Sequence, residues 1–357
     1  MHPTVAPAPA GILGIDLGKF KSVACRLADD GELNFETFAT DRAALTAILE
    51  RDRPRVVAVE ACTPAGWVSD LCGELGVPCK VANTSSEAWK FKHSKRKTDR
   101  DDALRLAHLE RLGQLPEVAL PPAAVRQRRA LIAQRQRIVS RRVAVQNRVR
   151  ALLVAQGLAA PRGAACWSAA ALARLSELAR PLDGCPATEL WRGALRLALD
   201  ERAASQALED AADRALDALA KDDPQVKLLR TIPGMGPRTA EAVAAHLWNP
   251  KRFASGKQVS AYAGLVPRQY QSGETDRRGR ITKRGPGVLR KLLVQCAWAM
   301  LRYNEWAREV WARLTHGGKT RRKQAVVALA RRVLVRAWAM LRDHQPWRAE
   351  APKKPAA

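Results

Sequence analysis

The chain has no run of about 18 uncharged apolar residues, the length a membrane-spanning helix requires. Its opening, MHPTVAPAPAG, lacks the basic start and apolar core of a secretory signal. Neither insertion nor export is indicated, and the expectation is a cytoplasmic protein. Cysteine motifs are missing as well. The seven cysteines (Cys25, Cys62, Cys72, Cys79, Cys166, Cys185 and Cys296) are an odd number and contain no CxxC pair, which argues against a disulfide scaffold or a structural zinc site. Acid is scarce. Against 61 Lys plus Arg there are 35 Asp plus Glu, a formal net charge of +26 over 357 residues. With 47% hydrophobic residues the chain can bury a core, so it is not a disordered basic tail. The charge excess points to a polyanionic partner, because each neutralised phosphate releases a counterion. At roughly 150 residues per domain the length predicts two or three domains.

Residues 1–10 read as a disordered leader and 346–357 as a disordered tail. From Gly11 the segments GILGID, KSVACRLA and ELNFETFA look like strands separated by GKF and DDG turns, predicting a three-stranded antiparallel meander. An amphipathic helix (DRAALTAILERD), the apolar strand VVAVE at 56–60, a helix over PAGWVSDLCGELG and a short strand at PCKVAN follow. Strands alternating with helices after a meander predict an α/β or α+β layer with a mostly buried central sheet. Beyond residue 100 the strand signal almost vanishes. Residues 121–158 hold nine Arg and no acid, with Val125, Leu131, Ile132, Ile138, Val145, Val149 and Leu152 spaced for one helical face. A second long helix, from about Ala187 to Lys221, carries acids at 200, 201, 209, 210 and 213. The two could pair as an antiparallel hairpin, serving as an internal spacer or as a dimerising coiled coil whose Arg face holds nucleic acid. From Val226 to Arg342 the chain reads as helical, interrupted by a Gly, Arg and Lys rich loop at 268–291.

Four acids stand out. Asp16 ends the first strand and Glu60 ends VVAVE, each in an apolar run where an unpaired charge is costly. If those strands are parallel neighbours, their carboxylates meet at one edge and repel, and a divalent cation is the usual remedy. KTDRDDALRLAHL begins a helix with Thr98 or Asp99 as N-cap, in which Asp99 and Asp102 share a face and Asp101 points elsewhere. Acids also suit a helix N-terminus for purely structural reasons. An oxygen-only set selects Mg²⁺ or Mn²⁺, and two such ions about 4 Å apart suit phosphodiester cleavage. Lys90, Lys92, Lys95, Arg96, Lys97 and Arg100, with Trp89 and Phe91 interleaved, form a positive wall beside them. GIDLG followed by Lys19 also resembles the first phosphate loop of the actin-like sugar kinases, but later Gly-rich nucleotide loops are missing.

In the C-terminal part, LLRTIPGMGPRTAEAVAAHL predicts a helix-hairpin-helix, with Gly234 and Gly236 letting the backbone approach a DNA phosphate; a plain Gly-stabilised turn is the simpler reading. Ser272 follows in a basic loop with Arg277, Arg278, Arg280, Lys283, Arg284, Arg290 and Lys291. Guanidinium groups hold a phosphate and spread transition-state charge, as phosphoryl transfer to a serine requires. No histidine adjoins to act as base.

GIDLGK, VVAVEA, KTDRDDA, IPGMGPRTA and YAGLVPRQYQSGE through GRITKRGPGVLRKLL together resemble the DEDD-type insertion-sequence transposases, the bridge-RNA-guided recombinases, over residues 11–345. The resemblance implies a RuvC-like domain of RNase H fold at 11–117, a helical coiled-coil region at 118–222, and a helical transposase domain with a helix-hairpin-helix at 223–345. It implies Asp16, Glu60, Asp99 and Asp102 as metal ligands and Ser272 as a nucleophile forming a phosphoserine link to DNA. Donor and target DNA, a structured noncoding bridge RNA and a dimer-to-tetramer assembly, with acids of one subunit meeting the serine of another, are the implied partners. Two other readings remain open: a RuvC-like structure-specific nuclease that uses water, and a non-catalytic nucleic-acid-binding protein.

Overall fold

A computed structural model of the chain describes residues 11–83, 86, 98–159, 163–272, 275–318 and 320–349. The proposed leader, and the tail from residue 350 on, lie outside them. The chain forms two compact units, residues 1–123 and 124–357.

The first unit is built on a five-stranded mixed sheet. Strands β1 (Ile12–Asp16), β2 (Lys21–Leu27) and β3 (Leu33–Ala39) form the expected antiparallel meander, with Gly14 opposite Cys25 and Asp16 opposite Val23. Gly18 is required by the β1–β2 turn, since a Cβ there would lie 2.0 Å from the Lys21 carbonyl oxygen. Helix α1 (Arg42–Asp52) starts at Asp41, whose carboxylate accepts the Ala44 N–H at 2.9 Å. Strand β4 (Val56–Glu60) then returns parallel to β1, with Ile12 opposite Val56 and Ile15 opposite Val59. Helix α2 (Ala65–Glu74) leads to β5 (Cys79–Ala82), parallel to β4, and the sheet order is β3-β2-β1-β4-β5. The inner strands β1 and β4 are buried on both faces, which explains why ILGID and VVAVE are continuous apolar runs and not alternating ones.

Helix α3 (Asp99–Arg111) crosses this sheet at Gly14. A Cβ at Gly14 would stand 2.2 Å from the Ala103 carbonyl oxygen and 2.8 Å from the Ala107 amide nitrogen, so helix and strand backbones touch there. Ala107 packs with Ile12, Leu27 and Val56, whereas Ala103 packs with Val23 and Cys25. The helix therefore runs back along β1, and its N-terminus lies toward the strand's C-terminal end.

The second unit opens with the long helices α4 (Ala123–Ala155) and α6 (Leu190–Ala220), joined through α5 (Ala169–Leu178). Their ion pairs descend in register: Arg128 with Asp223, Arg135 with Asp213 and Glu209, Arg142 with Glu209, and Arg141 and Arg148 with Glu201. Rising numbers on α4 meet falling numbers on α6, so the predicted basic and acidic helices do form an antiparallel hairpin. A compact helical body follows: α7 (Pro224–Leu229), α8 (Pro237–His246), α9 (Gly256–Tyr262), α10 (Gly287–Tyr303), α11 (Glu305–Thr315) and α12 (Arg322–Asp343), around a core that includes Leu229, Leu247, Leu289, Leu329 and Leu334. Between α9 and α10 the expectation of a loop is wrong. The chain there forms an antiparallel ribbon of β6 (Pro267–Ser272) and β7 (Thr275–Ile281). Residues 267–271 are all exposed, so β6 buries no apolar face and leaves no two-residue hydrophobic period to read.

Gly14→Ala is expected to force α3 off the sheet and destabilise the first unit by at least ~1–3 kcal/mol, the usual cost of overpacking, read as a lower unfolding midpoint in denaturant.

Candidate active site

Continuing the β1–β4 register by one residue sets Asp16 beside Glu60 at the C-terminal ends of two adjacent parallel strands. Both are half-buried, and both act on one neighbour: burial first, and then the charges of Glu60 and Asp16, push the Cys62 thiol up from its ordinary value. The first turn of α3 comes to the same edge. Thr98 is its N-cap, accepting the Asp101 N–H at 3.2 Å and donating its hydroxyl to the Asp101 carboxylate at 2.6 Å. Asp101 is thus tied to the cap, which separates it from the Asp99 and Asp102 pair. Asp99 is exposed, while Asp102 is 4% exposed and accepts from Arg105 Nη1 at 3.1 Å.

Asp16 and Glu60 therefore end adjacent strands of the sheet, and the helix turn that carries Asp99 and Asp102 lies toward the same end of β1. Among the described residues, however, no group of three or more His, Cys, Asp or Glu side chains stands arranged to hold a metal ion. The donor chemistry suits a hard divalent cation, being oxygen-only and contributed by adjacent strand ends and a helix start. The side-chain arrangement is more open, with one Asp102 oxygen engaged by Arg105. Arg105 was not anticipated from sequence; its signal is the Asp-x-x-Arg spacing, which puts the two side chains on one helical face. The proposed wall residues Lys95, Arg96 and Lys97, with Lys90, Lys92, Trp89 and Phe91, lie outside the described residues.

Ser272 is not in a loop but is the last residue of β6, paired with Thr275. Arg277, Arg278 and Arg280 lie on β7, opposite or beyond Tyr270 and Gln269, and Lys283 and Arg284 follow in the segment leading to α10. The base of this ribbon is clamped. Arg290 Nη1 donates to the carbonyls of Ala263, Arg284 and Gly285 at 3.0–3.1 Å. Gly264 and Gly285 permit this closeness: each has positive φ, and a Cβ on either would stand 2.0 Å from a backbone carbonyl oxygen. Arg290, read from sequence as one more basic residue, is an internal strut.

The IPGMG turn links α7 to α8, but its two glycines do different things. Gly234 has φ +89° and faces α10, where a Cβ would lie 2.9 Å from Met300 Cα; Cys296 Sγ and Asn304 Nδ2 donate to the Gly234 and Pro233 carbonyls. Packing accounts for Gly234. Gly236 caps α8 and a Cβ there would meet nothing within 4 Å, so the start of that helix remains approachable.

Two stretches of the chain match known families. Residues 13–156 match a family of DEDD transposases of the IS110 type, and residues 226–312 match the transposase IS116/IS110/IS902 family. The chain is similar to a probable family 20 transposase of Pseudomonas aeruginosa, with 30% identity over 292 residues, 81% of this chain and 84% of that one. It is similar to the transposase for insertion sequence element IS1111A of Coxiella burnetii, with 30% identity over 354 residues, 95% and 92% of the two chains. A pilin gene-inverting protein of Moraxella bovis is 32% identical over 126 residues, 34% of this chain and 38% of that one. The chain belongs to the IS116/IS110/IS902 family of transposases, enzymes that act on DNA. The four acids fall within the first matched region and Ser272 within the second.

Gly234→Ala should lower the thermal midpoint by several degrees through strain and contact with Met300, whereas Gly236→Ala should shift it by no more than a few degrees, the cost of a weaker cap. Equal shifts in differential scanning calorimetry would contradict the division of roles.

Proposed function

We propose that this transposase cuts and rejoins DNA at the ends and target of an insertion sequence, with Ser272 as nucleophile and Asp16, Glu60, Asp99 and Asp102 as the carboxylates that serve the reacting phosphate. The observation that carries this reading is the meeting of two parallel strand ends, Asp16 and Glu60, with the first turn of α3. In the step proposed, the Ser272 oxygen attacks phosphorus, its proton passes to a carboxylate or water, and the bond to the departing deoxyribose oxygen breaks as that oxygen gains a proton. Attack by a DNA hydroxyl on the phosphoserine ester then restores a phosphodiester and the free serine. The energy of the broken linkage is kept in the ester, so no external source is needed. Arg277, Arg278, Arg280, Lys283 and Arg284 would hold the phosphate, and Lys95, Arg96 and Lys97 the flanking strand.

Asp16, Glu60, Asp99 and Asp102 would be the residues to hold Mg²⁺ or Mn²⁺, which would supply charge neutralisation at the scissile phosphate. The α7–turn–α8 element would act as a helix-hairpin-helix on the DNA backbone, through Gly236 and the open start of α8, with Gly234 shaping the turn. A structured noncoding bridge RNA would choose the donor and target sequences, and a dimer or tetramer would bring the acids of one subunit to the serine of another. Among the described residues no helix is long and apolar enough to cross a membrane, and a nucleoid-associated place in the cytoplasm fits the DNA substrate.

Hydrolysis by water is the second reading, favoured by one observation: all four acids belong to a compact unit that does not include Ser272. The two separate cleanly in a trapping assay. Ser272→Ala should abolish the denaturation-resistant protein–DNA adduct while retaining DNA binding, and Glu60→Gln or Asp102→Asn should slow strand cleavage by about 10²–10⁴-fold. Adducts formed by Ser272→Ala would remove the serine from the mechanism, and undiminished cleavage in EDTA would remove the cation.

A further inference from the structure

The second unit contains a cavity of about 710 Å³ that neither the acids nor the serine ribbon uses. It lies between α11, α12 and the segment after α12, and most of its lining, residues 331–348, falls beyond both matched regions. Its aromatic wall is a pair of half-buried indoles, Trp306 and Trp347, in edge contact with centroids 5.3 Å apart. The guanidinium of Arg336 stacks on both, 4.5 Å from the Trp306 ring and 4.0 Å from the Trp347 ring. Trp347 is held by its own backbone, whose N–H donates to Thr231 Oγ1 at 3.1 Å. The wall is therefore built, not a chance exposure of two rings at the end of a helix.

The remaining lining is basic. Arg313, Arg331, Arg332 and Arg348 join Arg336 at this one cavity. Among the described lining residues Asp343 is the one carboxylate, and Arg342, outside the lining, pairs with it at 2.6 Å. Burial lowers the proton affinity of Arg336, as desolvation of a cation does. A ligand that relieves this has to bring negative charge and a flat π surface together. An acidic side chain brings only the first and a hydrophobic peptide only the second. A nucleotide whose base is unpaired brings both, and a cavity of this size lies in the range that encloses small ligands.

We infer that this cavity receives an unpaired nucleotide of a single-stranded DNA or RNA segment, with its base against the Trp306, Trp347 and Arg336 wall and its phosphate among Arg313, Arg331 and Arg332. The inference rests on the reading of the chain as a nucleic-acid enzyme and adds a subsite to it, one that distinguishes single strands from duplex. Stacking on aromatic and guanidinium planes requires an exposed base face, which paired DNA does not offer.

The test uses the full chain with short single-stranded DNA and RNA probes carrying one 2-aminopurine, whose fluorescence falls on stacking, and a duplex of the same sequence. Quenching by the wild-type chain is expected with DNA, RNA or both, and which of them quenches identifies the natural strand. Trp347→Leu should weaken single-strand binding roughly 5- to 100-fold, as loss of one stacked base does, and leave duplex binding unchanged. Paired Arg331→Gln and Arg332→Gln substitutions at the rim should weaken it too and flatten the log–log salt dependence by roughly 1.4; they carry the test if Trp347→Leu fails to fold. Equal losses on single strand and duplex, no loss at all, or displacement of the probe by an acidic peptide would overturn the inference. If one of those results is found while the variants still form the Ser272 adduct, only the subsite falls; if the wild-type chain binds neither single strand nor duplex, the nucleic-acid reading falls with it.

Discussion

The backbone contact between α3 and β1 at Gly14 is the constraint on which the candidate site depends. Two carboxylates on neighbouring parallel strands follow from the sheet order alone, but the second pair arrives on a helix far along the chain, and only its docking places it. With a side chain at Gly14 the helix could not lie against the strand, since a single added carbon would overlap the Ala103 carbonyl. Ala103 and Ala107, both fully buried, complete the fit from the helix side by being small. The direction of α3 matters as much as its closeness. Its N-terminal end lies toward the strand ends that carry Asp16 and Glu60, and the positive end of its dipole favours a carboxylate-rich edge. Arg105, bound to Asp102, contributes to the same balance.

Net charge is a poorer guide to the binding surface than it first looks. Five of the nine arginines in the acid-free stretch of α4 (Arg128, Arg135, Arg141, Arg142 and Arg148) are ion-paired to acids on or just beyond α6. Arg129 donates to the Ala245 and His246 carbonyls. Most of that helix's charge is spent on folding the hairpin, with Glu209, 6% exposed, shared between two guanidinium groups. A buried carboxylate so enclosed fixes register more than it adds stability, because desolvation offsets much of the attraction. Other arginines lie on the ribbon, at 277, 278 and 280, and around the cavity beside α12, at 313, 331, 332, 336 and 348.

What could be read from sequence follows physical range. The meander is local and is found as expected, and of the readings left open the structure has β1 parallel to β4, Thr98 rather than Asp99 as the cap, and the basic helix paired with the acidic one. The ribbon β6–β7 escaped because PRQYQS and TDRRGRI carry no alternating apolar residues. Gly234 looked like a phosphate-approach glycine because its neighbours fit that pattern, whereas its true constraint is Met300, some 66 positions away in the sequence numbering. Arg290 was counted among loose cations, yet three carbonyls converge on its Nη1. Roles set by distant packing leave no periodic trace in the chain.

The same limits explain how the ribbon carrying Ser272 is kept in place. A two-stranded sheet with no apolar face has little intrinsic stability in water, so its position has to be imposed from its base. There the Thr282 and Lys283 amides donate to the Val266 and Gly264 carbonyls, and Arg290 closes the junction with α9. This arrangement holds the foot of the ribbon, with Ile281 packed against the helical core, while residues 267–271 stay open to water and to whatever binds there. A polar, arginine-bearing ribbon so mounted suits a phosphate backbone better than a protein core, because its guanidinium groups need no burial to find their partners. The rigidity of the site and the accessibility of the serine strand thus come from different elements: helix packing supplies the first, and the lack of any hydrophobic face supplies the second.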